Sequence, residues 1–287
     1  MNFNISAENP LRLIELFAGY GSQAMALKRA GVPFEYWRAI EFDKYAVKSY
    51  NAVHGTDIGV TDIRDIHASD LGITDTAHRT YMMTYSFPCQ DLSVAGHGKG
   101  MEEGSGTRSS LLWEVRRLLE ECEELPQILM MENVPQVHGK KNITVFERWI
   151  DTLKDLGYKS VWRDLNSKDY GVPQQRNRTF MLSFLDNSFE YEWPAPVELE
   201  LRLKDVLEDD VEERFYIGGE RVQQLLEKLV MRGILPDTEG GQHQVPIDGT
   251  TFEPKAKEIS NAVRGKQRNI DVRRSGSNAV ICARSKG

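Results

Sequence analysis

The chain has 287 residues, 40% of them hydrophobic and 28% charged, which is ordinary for a soluble globular protein and long enough for one large domain with or without a smaller lobe. Its three cysteines, an odd number without paired spacing, speak against a disulfide framework, and no Cys/His cluster has zinc-site spacing, so no metal is expected. The net charge of −7 is unlike that of a nucleic-acid binder, which is often basic overall, but the basic residues are unevenly spread.

The first 190 or so residues alternate short apolar runs with amphipathic stretches, the signature of βαβ units. In chain order, strands are expected at Leu11–Phe17, Tyr36–Glu41, Tyr81–Ser86, Ile128–Met131 and Thr179–Phe184. Helices are expected at Ser22–Ala30, Tyr45–His54, Leu111–Cys122 and Val145–Leu156, the third from apolar residues at helical spacing. The texture changes near Trp193–Pro196, so a first domain of residues 1–197 is expected, followed by a second region of 198–287. That region holds a helical pattern at Arg221–Val230 and then a weakly patterned basic tail. Seven Lys or Arg stand between Arg264 and Gly287 against the single acid Asp271. No internal repeat or low-complexity tract is present. The N-terminus, MNFNISAENP, does not read as a signal peptide, and no apolar run approaches the ~20 residues of a membrane span. The expectation is a soluble, cytoplasmic protein.

Three local patterns carry chemistry. The first strand runs into Phe17-Ala18-Gly19-Tyr20-Gly21 and then a helix, a nucleotide-type loop in which glycines allow positive φ and close backbone approach. By itself this is also how many strands enter helices. Glu41, at the tip of the second strand, lies 20 residues after Gly21, the spacing at which an acid binds ribose hydroxyls. Together these favour an adenosine-type cofactor over a surface acid, and Asp62, after a third apolar stretch, is placed to read an adenine edge. The second pattern is Ser86-Phe87-Pro88-Cys89-Gln90, just past a strand end, where open α/β sheets place ligands. Cys89 is either a nucleophile or a small buried thiol. The third comprises Glu132 in Met131-Glu132-Asn133-Val134-Pro135, expected at a strand tip on the same sheet edge as Cys89, and the pair Arg176 and Arg178. If that pair continues into the last strand, the two arginines share a face; otherwise they are surface ion-pair partners.

The series FAGYG, IEFD, FPCQ, ENVP and QQRNR, in that order over roughly residues 11–185, resembles the cytosine-C5 DNA methyltransferase family. The resemblance implies a Rossmann-like α/β fold, with a mostly parallel doubly wound sheet and a partial second, smaller recognition lobe. It also implies transfer of a methyl group from S-adenosylmethionine to C5 of a flipped-out cytosine in duplex DNA. In that family's terms Cys89 is the nucleophile, Glu132 faces cytosine N3, and Arg176 and Arg178 are the active-site arginine pair. Phe17, Gly19 and Gly21 form the cofactor loop, Glu41 binds ribose, Phe42 stacks on adenine and Asp62 contacts it, with Ile63 and Pro88 completing the cofactor set. A prokaryotic or phage-type modification enzyme is implied. The family's later motifs, a Leu-Thr-Pro-x-Glu-like helix and a Gly-Asn-x-Val segment, are only faintly echoed by Gly276–Val280. Residues 255–287 therefore read as the start of a recognition region, and either the chain is truncated or a second chain carries the remainder. Competing readings are a tRNA-methylating member of the same family and a non-catalytic fragment. RNA cytosine methyltransferases of the other superfamily carry a second Cys where this chain has Glu132-Asn133-Val134.

Overall fold

The structure, a computed structural model, describes residues 3, 5–92, 100–186, 188–208, 212 and 220–232. The chain separates into two units, one of residues 1–170 and 175–197 and the other of 171–174 and 198–287. Within the second, the described regular elements are a 3-10 turn, Leu203–Val206, and helix α6, Glu220–Met231. The basic tail and residues 255–287 lie outside the described residues.

The first unit is built on six strands: β1 Leu11–Leu16, β2 Phe34–Ile40, β3 Tyr81–Tyr85, β4 Ile128–Asn133, β5 Lys159–Asn166 and β6 Asn177–Phe184. Helices α1 Ser22–Arg29, α2 Lys44–His54, α3 Ala68–Leu71, α4 Leu112–Glu121 and α5 Ile143–Asp155 connect them. The ends of the expected elements shift by no more than two residues. One shift matters: β4 continues to Asn133, so Glu132 lies inside the strand instead of at its tip. Strand β5 was not expected from sequence. Its residues Lys159–Asn166 read Lys-Ser-Val-Trp-Arg-Asp-Leu-Asn, and β5 is an edge strand with no buried position, so neither an apolar run nor clean alternation marks it.

The strand order is β2-β1-β3-β4-β6-β5. Strands β2, β1, β3 and β4 are parallel, whereas β6 is antiparallel to both of its neighbours. The chain moves from β1 to β2 on one side and then returns to β3 on the other. The switch in direction thus falls between β1 and β3, where open α/β sheets hold their ligands. Because β6 runs against β4, its N-terminal end lies at the same sheet edge as the C-terminal ends of β1, β3 and β4.

The central strands are buried, with Tyr81, Met83, Tyr85, Leu129 and Met131 essentially inaccessible, as sheets covered by helices require. Helix α5 packs Val145, Phe146, Trp149 and Leu153 inward, at the spacing of one helical face. Trp149 Nε1 donates to the Tyr85 hydroxyl at 3.1 Å, and its ring meets Trp113 of α4 edge-on at 6.2 Å. One side chain therefore joins α4, α5 and β3. Trp149→Ala is expected to destabilise the first unit by about 3–5 kcal/mol, the usual cost of emptying a large aromatic site; urea unfolding followed by far-UV circular dichroism measures it.

Candidate active site

The loop after β1 is held from three sides. Ala18 N donates to Ile40 O at 3.1 Å, Gly21 N to Ala18 O at 2.9 Å, and Gly19 N to Glu41 Oε2 at 2.8 Å. The other Glu41 oxygen accepts from Asp43 N at 2.7 Å, so Glu41 ties the end of β2 to the glycine loop. Below the loop, Glu15 is buried inside β1. It accepts from Ala24 N at 3.2 Å and from the Tyr50 hydroxyl at 2.7 Å. Burial pushes its carboxyl above the usual carboxylate range, against the two hydrogen bonds. Glu15 thus satisfies a free N–H in the first turn of α1, a place where carboxylates are favourable.

Three residues of this loop take left-handed backbone angles: Phe17 (φ +57°), Gly19 (φ +58°) and Gly21 (φ +81°). A non-glycine residue there carries strain of about 1–2 kcal/mol. The two glycines serve different ends. A Cβ on Gly19 would meet no atom within 4 Å, whereas one on Gly21 would lie 2.1 Å from His54 Nε2 and 2.8 Å from the Tyr50 ring. Gly19 thus borders open space, and Gly21 lets α2 pack against the loop. His54 Nε2 reaches Tyr20 O at 2.9 Å, which makes it the donor. Past Glu41 the Phe42 side chain is 68% exposed, a large ring with no core contact at the loop's edge.

Cys89, partly exposed, follows β3. The Phe87 carbonyl accepts from Asn133 Nδ2 at 3.0 Å, the Pro88 carbonyl from Ser109 Oγ at 2.6 Å, and the Cys89 carbonyl from Leu92 N at 3.1 Å. Asn133 and Ser109 are both buried, and neither was singled out from sequence. Glu132 and Arg178 complete the edge. In the β4–β6 register Glu132 is opposite Phe180, so Arg178, two residues away, shares its face. Arg178 Nε lies 3.0 Å from Glu132 Oε1, and Arg176 Nη2 lies 3.4 Å from the same oxygen. Burial and the neighbouring Arg176 hold the Arg178 guanidinium below its ordinary pKa, while Glu132 and Cys89 oppose that shift. Cys89 follows β3, the neighbour of β4 in the sheet, so its loop and Glu132 belong to the same sheet edge.

The remaining expected site residues are engaged locally. Asp62 accepts from Arg64 N and Nε, both at 3.0 Å, and pairs with Arg64 Nη2; these hydrogen bonds hold its carboxyl below the usual range. Ile63 is 4% exposed and belongs to the core. Thr61 N donates to Glu41 O at 2.8 Å, which keeps the Asp62 segment beside the end of β2.

Alanine at the two glycines separates their roles. Gly19→Ala is expected to cost about 1–2 kcal/mol, the strain of the left-handed backbone alone. Gly21→Ala is expected to cost clearly more, because the methyl group also collides with His54. Thermal unfolding of the two variants, compared with the parent chain, measures the difference; equal losses would mean that the α2 contact is relaxed at no cost.

Comparison with known proteins places this geometry in a family. Residues 11–271 match the model of the C-5 cytosine-specific DNA methylase family. Among curated relatives, the type II methyltransferase M2.ScrFI of Lactococcus lactis subsp. cremoris is 34% identical over 259 residues, covering 74% of this chain and 71% of that protein. The orphan methyltransferase M.SssI of Spiroplasma monobiae is 35% identical over 248 residues, covering 85% and 62%. The type II methyltransferase M.HhaI of Haemophilus parahaemolyticus is 31% identical over 244 residues, covering 81% and 69%. The matches to these relatives thus span roughly two thirds of their length. In fold, the chain resembles the Entamoeba histolytica methyltransferase EhMeth (TM-score 0.61, 22% identity, 78% of this chain and 66% of that one). It also resembles S. pombe Dnmt2 (TM-score 0.57, 23% identity, 78% and 65%). Among the described residues no helix is long and apolar enough to cross a membrane. By the family match and by identity to its relatives, the chain belongs to the C-5 cytosine-specific DNA methylase family.

Proposed function

We propose that residues 1–197 are the catalytic domain of a DNA cytosine-C5 methyltransferase that takes its methyl group from S-adenosylmethionine, and that 198–287 are a linker and the beginning of a recognition region. The observation that carries this reading is the convergence of Arg176 and Arg178 on Glu132, with Cys89 on the loop after the neighbouring strand β3. It brings a nucleophile, a carboxylate and two cations to one sheet edge. The β1 loop fits an adenosine-type ligand: open space over Gly19, an exposed Phe42 ring and the Glu41 carboxylate adjoin one another.

Cytosine C5 is a poor nucleophile because the ring is aromatic. Addition of the Cys89 thiolate at C6 breaks that aromaticity and directs electron density to C5, a case of covalent catalysis. When bound, S-adenosylmethionine supplies an electrophilic methyl group. During attack negative charge gathers at N3. Glu132 shares a proton with N3, and such acid help is worth about 10²–10⁴-fold in rate. Arg178 holds the O2 side of the ring, and Arg176 keeps Glu132 turned toward the base. Loss of the C5 proton to a base, with elimination of the thiolate from C6, restores Cys89 and the aromatic ring. A target atom stacked inside a duplex is unreachable, so the cytosine is flipped out.

Cys89→Ser is expected to abolish methyl transfer while cofactor affinity stays within about twofold, since a serine hydroxyl is far less nucleophilic than a thiolate. Incorporation of tritiated methyl into duplex DNA, with tRNA as a parallel acceptor, tests both the residue and the substrate class. Label in tRNA alone would reassign the substrate, and full turnover by the variant would remove Cys89 from its role. Glu41→Ala is expected to weaken S-adenosylmethionine binding by about 1.5–3 kcal/mol, the scale of charged hydrogen bonds. Titration calorimetry showing unchanged affinity would exclude Glu41 from the cofactor site.

A further inference from the structure

The segment Thr107–Leu111 drew no attention in sequence, yet it grips the nucleophile loop at several points. Ser109 Oγ donates to Pro88 O at 2.6 Å. Arg108 N and Ser109 N both donate to Asp91 Oδ2, at 2.9 and 3.4 Å, and Arg108 Nη1 donates to Gln90 Oε1 at 2.7 Å. The segment is itself anchored. Thr107 caps the 3-10 turn Arg108–Leu111 by accepting from Ser110 N, and the turn runs directly into α4, whose Leu112, Val115 and Leu118 are fully buried. Ser109 is therefore fixed relative to the core, and its side chain is inaccessible to water.

The peptide that joins Pro88 to Cys89 has little freedom left except at one angle. The proline ring locks φ near −65°, and the amide is planar. The remaining dihedral is ψ of Pro88, which is reported by the direction of its carbonyl. That carbonyl is the one Ser109 holds. Behind it, the Phe87 carbonyl is held by Asn133, and ahead of it the Cys89 carbonyl by Leu92 N. We propose that Ser109 is a positioning residue for Cys89: its hydroxyl sets the rotation of the Pro88–Cys89 peptide and so the direction in which the thiol is presented at the sheet edge. The inference rests on the catalytic reading of Cys89 given above.

Ser109→Ala removes the hydroxyl without adding bulk. Ser110→Ala is the matched control, since that hydroxyl donates at 2.7 Å to Thr107 O and not to the loop. The first measurement is alkylation of the full chain by iodoacetamide near neutral pH, resolved by peptide mass, with Cys122 as the internal reference. In Ser109→Ala, Cys89 is expected to react several-fold more slowly, because a loop free to turn at Pro88 holds the thiol in its presented orientation only part of the time. Ser110→Ala is expected to leave the rate unchanged. The second measurement is steady-state methyl transfer, in which Ser109→Ala is expected to lower kcat by about 10–100-fold, the effect of a small misplacement of a reacting group. KM for donor and for DNA should stay near the parent values. Equal alkylation rates in Ser109→Ala and Ser110→Ala would overturn the proposal. So would a loss in which kcat falls, KM rises and the melting temperature drops together, because that pattern marks general loosening. Failure of the catalytic reading is separate: it would show as turnover by Cys89→Ser, and the alkylation contrast between the two serine variants would still stand.

Discussion

The antiparallel pairing of β6 with β4 is the constraint on which the site depends. In a purely parallel arrangement the N-terminal end of β6 would lie at the far edge, away from Glu132. Reversal brings Asn177–Phe184 down from the edge where β1, β3 and β4 end, and the register of Glu132 opposite Phe180 puts Arg178 on the same face. The ladder hydrogen bonds that fix this register are those of an interior pair, since β5 covers the other side of β6. The backbone thus delivers the ion cluster, and the side chains need only reach a few ångströms, to Glu132 Oε1 at 3.0 Å from Arg178 and 3.4 Å from Arg176.

The same edge is divided by the change in strand direction between β1 and β3. The β1 and β3 loops lie on either side of that switch, and each is secured by a side chain at the C-terminal end of a neighbouring strand. Glu41 at the end of β2 holds Gly19 N, and Asn133 at the end of β4 holds the Phe87 carbonyl. In both cases a polar side chain at a strand's C-terminal end completes the hydrogen bonding of its neighbour's loop, which answers the requirement that buried backbone groups be paired. Strain follows the same line. Phe17 carries a left-handed φ of +57° at the start of the first loop, and such outliers persist where the surroundings over-determine them.

Legibility in the sequence tracked the type of signal. Strands β1, β3 and β4 are apolar runs, and α4 and α5 carry regular apolar faces, so burial declared them. Strand β5 did not, because an edge strand half open to water needs no such pattern. Gly19, Gly21, Glu41, Cys89, Glu132 and the arginine pair were legible as residue types at suggestive spacing. What brings Arg178 to Glu132 is a non-local pairing that no spacing encodes. Glu15 left a mark that was passed over: an acid inside the apolar run Leu11-Arg12-Leu13-Ile14-Glu15-Leu16 must find partners on folding. Asn133 stood in view beside Glu132. Ser109 left no mark at all, since a buried serine looks like any other until its acceptor is known.

The cluster at Glu132 is better explained by chemistry than by stability. One carboxylate faces two guanidiniums, so a positive charge remains even when Glu132 is ionised, and Arg178 is disfavoured as a cation by burial and by Arg176. Removing charges from water costs more than a partly satisfied pairing returns, and well-packed apolar residues in such a place are often as stable or more so. An excess of positive charge is useful only if negative charge is to arrive. In the proposed reaction it would come from a thiolate at Cys89 and from the density that gathers on a cytosine ring as the thiolate adds to it. The two guanidiniums share Oε1 of Glu132 at the sheet edge, beside the loop that carries Cys89, which is where the proposed chemistry would bring that negative charge.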